Sequence, residues 1–136
     1  MKDRRDFLKT SLVVSAGVLV AASSTPTFAD TTSFPKGIIY TSENSGKWEG
    51  KAGGHLPIVT VDGNQVTIKT KHGMSKKHYI VRHTIVTKDG KVLGEKTFYP
   101  SDKDATSVFK IDGKHSELYA TSFCNKHDLW VAKFSV

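Results

Sequence analysis

Three short glycine-containing turns, at Asp62-Gly63-Asn64, Lys88-Asp89-Gly90 and Asp112-Gly113, constrain the fold of this chain most strongly. Asp-Gly and Gly-Asn pairs adopt the positive φ angles of tight hairpin turns at little cost. Each turn lies between segments rich in Val, Ile, Thr, Tyr and Phe, which favour extended strands. The pattern therefore predicts three β-hairpins, formed by residues 55–61 with 65–70, 78–87 with 91–99, and 105–111 with 114–123.

Two further strands are predicted, a short one within 37–40 and a last one over 129–135, and no stretch after residue 29 has a sustained helical period. Short strands at regular spacing predict an all-β fold, an immunoglobulin-like β-sandwich of about seven strands. A length of 136 residues suits one domain, and 38% hydrophobic with 24% charged residues is typical of a soluble globular protein. We expect that domain to occupy residues 30–136.

The first 29 residues have the pattern of an export signal. Arg4-Arg5 precedes an apolar run over 12–22, and Thr27-Phe28-Ala29 resembles a cleavage site. The apolar run is too short for a comfortable membrane span, and the paired arginines are typical of a twin-arginine signal. We therefore predict a cleavable signal peptide over 1–29, a periplasmic or other extracytoplasmic location, and no stable membrane span after cleavage. A general secretory signal and an uncleaved anchor are the alternatives.

Basic residues exceed acidic ones, with a formal net charge of +7 for the chain. Without residues 1–29, 16 Lys plus Arg remain against 11 Asp plus Glu, a net charge of +5. A positive field attracts small anions and nucleic acid, although a solvated surface explains such a surplus equally well. The sequence lacks both the aromatic and basic interleaving and the helix-turn-helix pattern of nucleic-acid binders, so we expect no nucleic-acid partner.

The only cysteine, Cys124, is followed three residues later by His127. At this spacing a tight turn can direct a thiolate and an imidazole to one metal ion. One cysteine cannot form an internal disulfide, and a single cysteine is more often an inert buried side chain. The interpretation of Cys124 as a ligand therefore depends on whether other parts of the chain supply further ligands.

Three other histidines, His55, His72 and His78, lie at predicted strand ends or in loops. Side chains from different strands can converge there, at one end of a sandwich. Together with Cys124 and His127 they make five candidate ligands of nitrogen and sulfur type. The remaining two histidines, within a predicted strand and beside a turn, are not expected to bind a metal; they are His83 and His115.

In their order and spacing, these residues resemble the iron-binding domain of superoxide reductases, the desulfoferrodoxin and neelaredoxin family. The matching segments are His55-Leu56-Pro57, His72-Gly73-Met74, His78-Tyr79-Ile80, Cys124-Asn125-Lys126-His127 and Leu129-Trp130. The resemblance implies an immunoglobulin-like sandwich that holds one mononuclear iron, with its sixth coordination position open. It implies a cysteine thiolate as the axial ligand and four histidines as the equatorial ligands, here Cys124 with His55, His72, His78 and His127.

The resemblance implies a superoxide reductase, an oxidoreductase that reduces superoxide to hydrogen peroxide with one electron from ferrous iron and two protons. The signal pattern of residues 1–29 implies that this enzyme is exported. We also expect a separate exported electron donor, rubredoxin-like or a cytochrome, because no second cysteine-rich domain is present. The oligomeric state stays open, with a homo-oligomer implied by the resemblance. Two alternatives remain: a non-catalytic iron protein that senses redox state or transfers electrons, and a binding module that holds zinc or no metal.

The chain departs from the family pattern beside the first ligand. Family members carry Glu-Lys directly before that histidine, where this chain has Gly53-Gly54. In the family the glutamate occupies the open iron position in the oxidised state and the lysine attracts superoxide. We expect Glu49 to substitute as the sixth ligand and Lys51 as the steering group, the alternative being that both are ordinary exposed loop residues. Further local positive charge is expected from Lys71, Lys76 and Lys77.

A second departure follows the last ligand histidine, where Asp128 replaces the usual glycine. If this position requires a positive φ, aspartate tolerates it better than most residues. The departure removes no candidate ligand.

Overall fold

The computed structural model describes residues 35–136, which form eight strands and two short helical turns. The elements in chain order are β1 Ile39–Tyr40, a 3₁₀ helix Gly46–Trp48, α1 Ala52–His55, β2 Ile58–Asp62, β3 Gln65–Thr70, β4 Ile80–Thr87, β5 Val92–Thr97, β6 Ala105–Lys110, β7 Leu118–Cys124 and β8 Asp128–Phe134.

The strands form two sheets, one of five strands in the order β1-β8-β7-β4-β5 and one of three in the order β2-β3-β6. All neighbouring strands are antiparallel except β1, which pairs parallel to β8. The predicted all-β, immunoglobulin-like sandwich is confirmed, with eight strands against about seven expected. The core lies between the sheets and contains Val66, Ile68, Ile85, Ile111, Leu118 and Ala120.

The first two predicted hairpins are present, and their turns use the expected backbone conformation. Strands β2 and β3 pair on either side of Gly63, at φ 60°, and β4 and β5 pair on either side of Gly90, at φ 89°. Glycine adopts such angles without the steric clash that a Cβ atom causes. Turn chemistry therefore predicts these two strand pairings correctly.

The third predicted hairpin, 105–111 with 114–123, is wrong. Strand β6 pairs with β3 in the smaller sheet, whereas β7 pairs with β4 and β8 in the larger one. Gly113 has the positive φ of a turn, at 81°, but the connection crosses between the sheets. Ile111 lies just before this crossing, buried in the core, and its N–H donates to the carbonyl of Asn64. Burial of this apolar side chain between the two sheets outweighs local pairing.

The predicted strand over 55–61 begins later than expected, because His55 ends the helical turn α1 instead of opening a strand. The turn is closed by a hydrogen bond from the N–H of Leu56 to the carbonyl of Ala52, at 2.9 Å. Pro57 follows and cannot continue a helix, and the residue before it is extended, with ψ 133°. The two glycines within α1 conceal this turn from propensity rules, since glycine is a poor helix former.

A buried polar network links the two sheets around His83, which is fully buried in β4. Its Nε2 lies 2.8 Å from Thr70 Oγ1 in β3, and its Nδ1 lies 2.8 Å from Ser107 Oγ in β6. Thr70 Oγ1 also lies 2.8 Å from Ser122 Oγ in β7. Each side chain has a partner, so the network is compatible with burial. His83 therefore has a structural role, as expected for a histidine outside the ligand set.

No helix within residues 35–136 is long and apolar enough to cross a membrane. The predicted signal peptide over 1–29, with its paired arginines, lies outside the described residues.

Candidate metal centre

The structure brings all five predicted ligand residues together at one end of the sandwich. His55 precedes β2, His72 follows β3, His78 precedes β4, Cys124 ends β7 and His127 precedes β8. Because these strands are antiparallel within their sheets, the strand ends that carry the five residues lie at the same end of each sheet. One potential ligand atom from each residue lies within 4.8 Å of the others.

Short distances between side-chain atoms of four of these residues show which atoms point into the cluster. His78 Nε2 lies 3.0 Å from His72 Nε2 and 3.0 Å from His127 Nδ1. Cys124 Sγ is further away, 3.8 Å from His72 Nε2 and 3.7 Å from His127 Nδ1. About 3.0 Å is the separation of two imidazole nitrogens that bind one metal ion at right angles, each at about 2.1 Å. The nitrogen geometry therefore fits a shared metal ion.

His55 shows most directly that the cluster suits a metal. Its Nδ1 lies 2.7 Å from the carbonyl of Lys51, so the ring donates there and keeps the lone pair on Nε2. That Nε2 is buried and has no hydrogen-bond partner within residues 35–136. A buried polar atom without a partner costs free energy. A metal ion among the five ligand atoms would satisfy it, and the carbonyl on the opposite nitrogen is the usual partner of a ligating histidine.

Burial lowers the pKa of His55 to about 4, and the positive charges of the three neighbouring histidines act in the same direction. The hydrogen bond to the Lys51 carbonyl partly opposes them. Burial also lowers the pKa of His78 and of His127, with further contributions from nearby positive charges, Lys51 among them. These imidazoles are therefore neutral at neutral pH, which is the form that binds a metal.

Cys124 reaches the cluster from the protein interior. It is 1% exposed and packs with Ile80, Phe98 and Ala105, with Met74 at the edge of this group. The histidines at 72, 78 and 127 are only partly buried. A metal ion at the cluster would thus have its sulfur ligand on the buried side and the imidazoles of His72, His78 and His127 nearer the surface.

Backbone carbonyls and aromatic rings hold the candidate ligand histidines in place, and the sequence does not indicate these contacts. His72 Nδ1 hydrogen bonds to the carbonyl of Gly73, which directs Nε2 to the cluster. Trp130, fully buried, donates from Nε1 to the carbonyl of His127 at 2.8 Å, and its ring lies 5.8 Å from that of His55. A carbonyl exists at every position, so residue identity gives no signal for such a partner.

The two residues predicted beside the open position lie in the segment before α1. Lys51 is exposed, and its positive charge contributes, after burial, to the lowered pKa of His78 and of His127. Glu49 is exposed after the 3₁₀ helix, and no hydrogen bond or ion pair among the described residues joins its carboxylate to the cluster. The roles of both residues stay predictions. Exposed lysines also directly precede three of the ligand histidines, namely Lys71, Lys77 and Lys126.

Comparison with solved structures gives several superoxide reductases. The superoxide reductase (neelaredoxin) from Ignicoccus hospitalis has a TM-score of 0.59 and 25% identity, over 73% of this chain and 94% of that one. The one-iron superoxide reductase from Giardia intestinalis has a TM-score of 0.55 and 26% identity, over 60% of this chain and 97% of that one. The superoxide reductase from Treponema pallidum has a TM-score of 0.53 and 26% identity, over 62% of this chain and 69% of that one.

No curated protein sequence matches the chain. The family model for desulfoferrodoxin matches residues 45–133, a range that contains all five candidate ligands, strands β2 to β7 and all but the last residue of β8. The resemblance inferred from ligand order is thus confirmed over most of the described domain, and this chain belongs to the desulfoferrodoxin family.

Proposed function

We propose that this protein is an exported superoxide reductase with one mononuclear iron, held by His55, His72, His78, His127 and Cys124. The observation that carries the proposal is the convergence of four imidazole nitrogens and one thiol sulfur, with the buried Nε2 of His55 left without a partner within residues 35–136. Imidazole suits iron, and thiolate is a softer ligand that donates charge. The similar structures from Giardia intestinalis and Ignicoccus hospitalis carry the name superoxide reductase.

The reaction adds one electron and two protons to superoxide and releases hydrogen peroxide. A bound ferrous iron would supply the electron, and a separate donor protein would restore the ferrous state. The residues of this chain would hold the metal at one end of the sandwich, where three of the histidines are partly exposed and a small anion can approach. Cys124 would provide a charge-donating ligand from the interior. Solvent at this end of the sandwich would supply the protons. The single cysteine of this chain agrees with a one-iron centre.

Metal content, visible absorption and superoxide decay together test the function. Protein that folds with iron should contain about one iron per chain and, when oxidised, show a thiolate-to-iron absorption band. Pulse-generated superoxide should then decay far faster than by uncatalysed dismutation. Zinc alone in protein prepared with iron present would contradict the iron centre.

The second candidate, a non-catalytic iron protein that senses redox state or transfers electrons, is favoured by Gly53-Gly54 in place of the family's Glu-Lys pair. Iron binding with superoxide decay no faster than dismutation would support this candidate against the reductase.

Lys51 is proposed to attract superoxide toward the metal. We expect Lys51→Ala to lower the second-order rate about tenfold at low ionic strength, because a positive group near the target raises the encounter rate of an anion by about that factor or more. The loss should shrink as salt is added, since salt screens the interaction. The measurement is superoxide decay at several salt concentrations.

Lys88→Ala is the matched control, because Lys88 is exposed at the opposite end of the sandwich, in the turn after β4. Equal rates and salt dependence for wild type and the Lys51 variant would reject the steering role.

Glu49→Ala tests the proposal that Glu49 is the sixth ligand of the oxidised iron. An unchanged absorption spectrum of the oxidised variant would reject this proposal.

Export is also proposed, on the pattern of residues 1–29. A mature chain that begins near Asp30 in the periplasmic fraction would support this proposal, and full-length protein in the cytoplasm would contradict it.

A further inference from the structure

We propose that Asp128 is a positioning residue for the metal centre, which acts by holding Trp48 against the ligand His127. This inference rests on the metal centre of the proposed function and does not require superoxide reduction. It concerns two segments far apart in the chain, one that leads into the first ligand and one that carries the last.

The backbone of Asp128 is in an unusual conformation. Its φ is 65°, and it is the one residue other than glycine with a positive φ within residues 35–136. A Cβ atom makes this conformation unfavourable, so a residue with a side chain persists there only when other contacts compensate. A backbone at this φ favours glycine, and the aspartate of this chain therefore needs an explanation.

The side chain of Asp128 makes contacts that a glycine cannot make. Its Oδ2 accepts a hydrogen bond from Trp48 Nε1 at 2.9 Å, across 80 positions of sequence. Lys47 Nζ lies 3.6 Å from the same oxygen. A hydrogen bond to an ionised acceptor is stronger than one between neutral groups. Asp128 thus attaches the 3₁₀ helix to the start of β8, directly beside His127.

Trp48, once held, restricts the ligand ring. Its indole meets the His127 imidazole edge to face, with ring centroids 4.6 Å apart and an interplanar angle of 88°. The backbone of His127 is already held by the hydrogen bond from Trp130 Nε1 to its carbonyl. The indole of Trp48 therefore limits rotation of the imidazole, and with it the direction of the ligand nitrogen Nδ1.

Trp48 is also connected to His55, the first ligand, through hydrogen bonds to backbone carbonyls. The carbonyl of Trp48 accepts from the N–H of Lys51 at 2.9 Å, and the carbonyl of Lys51 accepts from His55 Nδ1 at 2.7 Å. A continuous series of contacts therefore runs from Asp128 through Trp48 and Lys51 to His55. Displacement of the indole would disturb the two ligand histidines that the series joins.

The test compares cobalt(II) binding by wild type and three variants, together with the thiolate-to-iron band of the oxidised iron protein. Asp128→Gly removes the acceptor while its backbone favours the observed φ, so it is expected to fold. Trp48→Phe keeps a ring but removes the indole donor. Asp128→Asn keeps an acceptor oxygen and is the conservative variant.

We expect Asp128→Gly and Trp48→Phe to weaken cobalt(II) binding about tenfold, as is found when groups that orient metal ligands are removed, and to shift or broaden the iron band. Asp128→Asn should restore most of both properties. The matched control is Asp62→Asn, an exposed aspartate at the far end of β2, which should match wild type.

Wild-type affinity and an unshifted band in Asp128→Gly would overturn the inference, even if its melting temperature falls, because a purely structural role would change stability alone. A wild-type chain that binds neither metal would instead contradict the metal centre itself, and this inference with it.

Discussion

Replacement of Cys124 by alanine is expected to abolish the thiolate-to-iron absorption band and to slow superoxide removal by at least about 100-fold. Loss of a group that only orients a metal ligand already lowers metal affinity or activity by about 10–100-fold, and loss of a ligand should cost at least as much. The sulfur is the one soft, charge-donating ligand among the five. The four imidazoles stay in place, so we expect the variant to retain weaker metal binding. Visible absorption and pulse-generated superoxide decay are the measurements.

Alanine is preferred to serine here because Cys124 is buried beside apolar side chains, where a hydroxyl group without a partner would be costly. Met74→Leu is the matched control, since it alters the edge of the same apolar group with little change of volume and removes no ligand. A variant without the sulfur that keeps both the band and the rate would show that Cys124 does not bind the metal.

The second large effect concerns His83 and acid stability. Burial, with a smaller contribution from the positive charge of Lys96, lowers the pKa of His83 to about 4. In the unfolded chain the pKa of a histidine is about 6.5. Because the folded value is the lower one, the contribution of neutral His83 is fully present above about pH 6.5 and is lost as pH falls toward 4. We expect the loss to reach about 3 kcal/mol near pH 4, at about 1.4 kcal/mol per pKa unit.

A loss of about 3 kcal/mol is large beside the 5–15 kcal/mol, roughly, that stabilises most domains. His83→Gln provides the comparison, since an amide keeps hydrogen-bonding groups for Thr70 and Ser107 but does not titrate. Urea unfolding of both proteins between about pH 7 and pH 4 gives the free energies of unfolding. As the pH falls, the free energy of unfolding of wild type should decrease more than that of His83→Gln.

Titration of the ligand histidines affects wild type and His83→Gln alike, so it cancels in this difference. Parallel pH profiles for the two proteins would contradict a low pKa for His83.

Local chemistry was sufficient to predict most strands and the five residues that cluster as candidate ligands. Turn residues such as Gly63 and Gly90 adopt their backbone angles whatever lies around them, and the alternation of Val66 and Ile68 with polar neighbours specifies one buried face. The order and spacing of the histidines and Cys124 were equally informative, because a metal requires particular ligand types and these are visible as residues.

The path of residues 111–117 was decided by the tertiary structure. The turn at Asp112-Gly113 predicts a hairpin, yet the chain crosses to the other sheet because Ile111 and Leu118 are both buried in the core between the sheets. Strand pairing depends on contacts distant in sequence, which no local pattern contains. The helical turn that carries His55 was missed for a related reason, since its two glycines conceal it.

The sequence by itself determined the fold class, the family and the five candidate ligands, since each of these depends on residue type and spacing. Only the tertiary structure decided what orients the ligands. The Lys51 carbonyl on His55 is invisible in the sequence because every residue has a carbonyl. The hydrogen bond from Trp48 to Asp128 joins residues that are distant in the sequence and come together only when the domain folds.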